Sequence, residues 1–244
     1  LVDLNLGPSP VTPPAAVALP TTGSDPFSVW VLLTTVLVLL GLGLGILTAQ
    51  APAHDVMLLI LPGLLCILLY RYQSGATPET WRGLSAYGLS MMSAALALLL
   101  PTPASTVALL VTCATLLPLL PVHSGFIATL TGLPGNLPAF LVFLLPTVGF
   151  HTLLMLLPNL TGTTLHTVAI LALAGAVYGS LRALIQARPL PRLSYAALAF
   201  FGLLWWYVAD TGTAPMQATV YLSAAGLAAS GLLLAWYAIR ARYG

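Results

Sequence analysis

Lysine is absent from the 244 residues, and charged side chains of every kind make up only 5% of them. Seven arginines stand against five acids, a formal charge of +2, so there is no basic surface with which to neutralise a phosphate backbone, and nucleic acid is excluded as a partner. Cysteine is nearly absent as well. Cys66 and Cys113 both fall inside apolar runs, where a reduced, packed thiol fits and a disulfide framework does not. The sequence has no HExxH, no GxSxG, no paired aspartates within an apolar run and no Cys/His metal spacing. These absences argue against an enzyme and imply neither cofactor nor bound metal. Haem ligation by two histidines on facing helices stays open at this level.

What the chain does have is apolar surface. Hydrophobic residues reach 59% and the mean hydropathy is +1.01, more than a water-soluble globule could cover with polar groups. The expected fold is all-α, a polytopic membrane helix bundle. Residues 1–24, rich in proline and small residues, lack the basic start and compact apolar stretch of a signal peptide and read as an extended segment preceding a transmembrane domain over 25–244. Measured against the roughly 20 residues a spanning helix needs, the apolar segments fall near 27–49, 54–72, 83–101, 103–121, 137–157, 163–186, 193–210 and 215–239, about eight helices. With the N-terminus inside, all seven arginines fall on one side, while Asp55 and Asp210 fall on the other. That pattern predicts an integral protein of a bacterial inner membrane with its arginine-bearing loops cytoplasmic.

One span ends oddly. The stretch LPLLPVHSGF at 117–126 carries Pro118, Pro121 and His123, none of which a plain anchor needs, and the prolines predict a structural helix break. His123 reads first as a helix-end histidine bonded to a freed carbonyl, with a vestigial proton relay as the competing reading. Thr147 and His151 are four residues apart on one predicted helix, which puts them on one face and makes them a second candidate relay step through water. His166 and Asp210 sit at helix ends and read as interfacial. Trp205, Trp206, Tyr207, Trp236 and Tyr237 read as interface anchors; pigment or quinone contact has no support beyond them. Small residues in LALAGAVYGS at 171–180 and LSAAGLAASGLLLAW at 222–236 are spaced for close helix packing.

The block from Thr112 to Leu157 resembles the antiporter-like, proton-translocating membrane subunits of respiratory complex I and their relatives in membrane-bound hydrogenases and Mrp-type antiporters. The resemblance rests on Pro118, Pro121, His123, Pro134 and Gly149, on Tyr178, Gly179, Gln186, Tyr195 and Gly202 in a second block, and on Gly226 and Leu227 in a third. It implies a partial antiporter-like fold with a proline-interrupted helix. The departures bear on mechanism: where the family places two lysines this chain has Leu116 and Thr147, the helix carrying the family's glutamate is largely deleted, and the histidine expected before Gly226 is Ala225. Proton transfer across lipid needs buried titratable groups held near neutral pKa. The resemblance and its departures together imply a non-pumping, antiporter-like scaffold among other integral membrane subunits and lipids. Its host would be an energy-converting, ion- or bicarbonate-uptake, or photosynthetic complex. The alternative is a proton- or sodium-translocating subunit that borrows charged residues from neighbouring chains.

Overall fold

A backbone in hydrocarbon must satisfy its own hydrogen bonds, so long apolar runs fold as helices. The computed structural model describes residues 26–50, 52–72, 78–212 and 216–243, and these are helical almost throughout. The helices are α1 (Pro26–Thr48), α2 (Ala53–Tyr72), α3 (Pro78–Leu99), α4 (Ala104–Leu116), α5 (Ser124–Gly132), α6 (Leu137–Leu156), α7 (Gly162–Ile185), α8 (Pro189–Thr211) and α9 (Met216–Tyr243). A short 3-10 turn at Leu157–Asn159 follows α6. The extended segment expected over 1–24 lies outside the described residues.

Two units are distinguished, divided between Val36 and Leu37. In the first, Trp30, Val31 and Leu33 are exposed, and Thr34 and Thr35 donate to the carbonyls of Trp30 and Val31. The second holds the remainder of α1 and the other helices.

Among the described residues, six helices are long and apolar enough to cross a membrane: α1, α2, α6, α7, α8 and α9. The chain is an integral membrane protein. The sequence predicts eight spans, and the two outside these six differ for physical reasons. The segment near 83–101 lies in α3, a helix of sufficient length that is less apolar because it carries Glu79 and Arg82 and buries Thr80, Ser90 and Ser93. The segment near 103–121 yields only the 13 residues of α4, because the chain leaves helical geometry at Leu117, just before Pro118. Beyond the break lies α5, nine residues long, which brings the described α-helices to nine.

Small residues set how closely the helices pack. On α7, a Cβ added at Gly179 would lie 2.8 Å from the Tyr195 carbonyl oxygen of α8. On α8, one added at Gly202 would lie 2.9 Å from the Ala176 amide nitrogen of α7. The two helices therefore meet backbone to backbone at both levels, as small-residue helix pairs do in lipid. Helices α2 and α3 run antiparallel, since Gly63 lies against Met91, the Cys66 thiol reaches the Leu84 carbonyl and Leu69 lies against Gly83. Gly202→Leu should force α7 and α8 apart and lower the thermal midpoint in detergent, at a cost of about 1–3 kcal/mol from overpacking. Gly231→Ala should not lower the midpoint, since no atom lies within 4 Å of an added Cβ there and alanine suits a helix interior better than glycine.

Candidate functional site

The helix break forms where α4 runs out of donors. The Leu117 amide still donates to Cys113 O at 2.8 Å and Leu119 N–H reaches Ala114 O at 2.9 Å, but Pro118 has no N–H to offer. The chain then turns through 117–123 and resumes as α5 at Ser124, with Pro118 buried and Pro121 exposed in the gap. Two neighbouring helices hold the free end. The Trp205 indole of α8 donates to the Leu117 carbonyl at 2.9 Å. Gly149 of α6 lets that helix close on the same residue, where an added Cβ would sit 2.6 Å from the Leu117 amide nitrogen. Cys113 donates through its thiol to Gly149 O at 2.9 Å. Trp205 is fully buried, which corrects its reading as an interface anchor. Its polar handle is used inside the bundle, whereas Trp206 beside it is exposed.

Leu116 is fully buried, and Thr147 turns its hydroxyl back onto the Phe143 carbonyl at 2.7 Å. The candidate relay residues do not form one cluster. The ring facing His151 is that of His54 at the start of α2, with centroids 6.0 Å apart. His54 is buried, with Nδ1 3.1 Å from Asp55 Oδ1 and Nε2 3.4 Å from Thr152 Oγ1. His151 Nε2 is buried without a hydrogen-bond partner among the described residues. Sequence reasoning missed His54, because 97 residues separate it from His151 and no motif links them. His166 is exposed near the start of α7, and Asp210 is exposed at the end of α8.

His123 belongs to a different neighbourhood. It meets Tyr178 of α7 edge-on at 5.5 Å, Tyr178 meets Tyr195 of α8 at 6.0 Å, and the Arg182 guanidinium lies 5.3 Å from the Tyr195 ring centre. These side chains wall an open cavity of about 690 Å³ that Glu79, Arg82 and Arg188 also line. Burial pushes the His123 imidazole below its ordinary pKa, and the Pro121 backbone opposes this only in part. His123 therefore favours its neutral form at pH 7. Since Arg82 follows Gly83's partner Leu69 in level along the α2–α3 pair, the 15 residues from His54 to Leu69 separate the two polar neighbourhoods by about 22 Å of helix. Leu58, Leu61 and Leu65, all fully buried, occupy that interval on α2.

Neither a protein-family model nor a curated protein matches the chain. Trp205→Phe should keep an aromatic ring at the site but strand the Leu117 carbonyl and leave a small gap where the rest of the indole was, destabilising the protein by about 1–3 kcal/mol in detergent unfolding. Trp206→Phe, at an exposed position, should have little effect.

Proposed function

We propose that the chain is a non-pumping, antiporter-like scaffold subunit of a larger membrane complex. The observation that carries this reading is the state of the two positions where the resembling family has lysines. Leu116 is packed without exposure and the Thr147 hydroxyl is closed onto its own helix, so neither accepts or releases a proton. Close backbone contacts at Gly149, Gly179 and Gly202 add to it, because they leave little room between helices for a file of water. Exposed apolar side chains on α7 and α9, among them Leu184, Ile185, Val220 and Leu227, suit lipid or neighbouring membrane subunits. In this reading the broken helix is inherited architecture and the chain carries no chemistry of its own. It acts in a bacterial inner membrane with the arginine-bearing ends cytoplasmic.

One observation favours the translocating alternative. His54, Asp55, His151 and Thr152 form a polar group with three ionisable side chains at one end of α2 and α6, the kind of cluster that a proton path uses when a neighbouring chain completes it. Reconstitution into liposomes loaded with a pH-sensitive dye separates the two. The scaffold reading expects proton flux no faster than in protein-free liposomes, under an imposed pH gradient and without uncoupler. Flux that falls on His151→Ala or His54→Ala contradicts it.

A further inference from the structure

We propose that the cavity walled by Arg82, Arg182 and Arg188 binds the phosphate of an anionic phospholipid headgroup. Three arginines line this space against a single acidic residue, Glu79, a local balance of three minus one with His123 neutral. Among the described residues the ion pair within bonding distance is His54–Asp55, so Glu79 neutralises none of the three arginines directly. Like charges gathered at the edge of a low-dielectric bundle repel one another, and a bound anion removes that cost.

The backbone adds to the same field. Residues from the first turns of α3, α5 and α8 line the cavity, which places the positive ends of three helices at its wall. No side chain caps α5 or α8. The Arg182 guanidinium lies over the Tyr195 ring, 5.3 Å from its centre, and its buried Nε has no hydrogen-bond partner among the described residues. His123 Nδ1, on the facing wall, is likewise buried and unpartnered. A planar guanidinium held in advance is suited to a phosphate. The cavity volume also falls in the range of about 300–1,000 Å³ common for ligand sites.

The apolar border favours lipid over free phosphate. Leu181, Leu184 and Ile185 flank Arg182 on a membrane-spanning helix and are exposed, Leu184 at 72% and Ile185 at 69%. A headgroup in the cavity would lay its acyl chains along that surface, whereas inorganic phosphate has no use for it. Basic pockets between membrane helices recognise lipid headgroups through this combination of charge and apolar border.

The test uses the full chain purified in detergent, with its thermal midpoint followed as phosphatidylglycerol, phosphatidylcholine or inorganic phosphate is added. Phosphatidylglycerol should raise the midpoint saturably and phosphatidylcholine should not. Arg82→Gln combined with Arg188→Gln should weaken the apparent affinity at least about tenfold. Both side chains are exposed, so the folded protein should survive the change, and Arg188→Gln alone provides a milder version of the same comparison. Arg240→Gln with Arg242→Gln, on α9 and outside the cavity, should leave the affinity unchanged. An equal shift with phosphatidylcholine, or a phosphatidylglycerol shift that survives the double variant, overturns the assignment. A shift reproduced in full by inorganic phosphate overturns the lipid source, and loss of a co-purifying subunit with lipid affinity intact points instead to an acidic protein segment and overturns it too.

Discussion

A peptide carbonyl released inside a membrane cannot turn to water, so another part of the protein has to meet it. In this chain that constraint falls on Leu117, where α4 stops short of Pro118. The Trp205 indole meets the carbonyl, and the approach of α6 at Gly149 seals the amide side of the same residue. Both contacts require their helices to be close. For α8 the approach is secured by its own tight seam with α7 at Gly179 and Gly202, so the break at one helix end depends on packing that reaches through α6, α7 and α8.

The buried hydroxyls follow the same rule. Thr129, Thr152 and Ser194 each donate to a carbonyl four residues back on their own helix. Between helices, Tyr87 and Thr129 share a hydrogen bond at 2.7 Å, Thr115 donates to the Ser90 hydroxyl at 2.8 Å, and Thr112 reaches the Ser90 carbonyl. Such bonds are worth about 0.6–2 kcal/mol each in a membrane protein. Polar atoms in this interior join α3, α4 and α5 to one another. Groups able to carry charge gather at the two ends instead, around His54 and around Arg182.

The long apolar runs were legible in the sequence because length and hydropathy are local properties, and the six strongest spans follow from them. Pro118 and Pro121 also announced an interruption, since the loss of an amide hydrogen is a property of the residue itself. The helix α5 was not legible: SGFIATLTG has nine residues, too few for a periodic pattern to stand out. Polar residues in α3 read as ordinary span content, although their burial against neighbouring helices becomes visible only when those helices are placed. The arginine pattern predicted one basic side, and the structure brings three of the seven to one cavity. The cavity itself needed α3, α5, α7 and α8 to converge, and the pairing of His54 with His151 needed α2 to meet α6. Trp205 looked like its neighbour Trp206, because nothing in WWY distinguishes a buried indole from an exposed one.

In the scaffold reading, the polar group around His54 and the arginine-lined cavity are separated by a dry, packed middle. An experimental density map fine enough to show ordered water tests this most directly. Waters are expected in the cavity and beside His54, and none among Leu58, Leu61, Leu65, Leu116 and Gly149. A continuous file of waters joining the two ends through that region would contradict it.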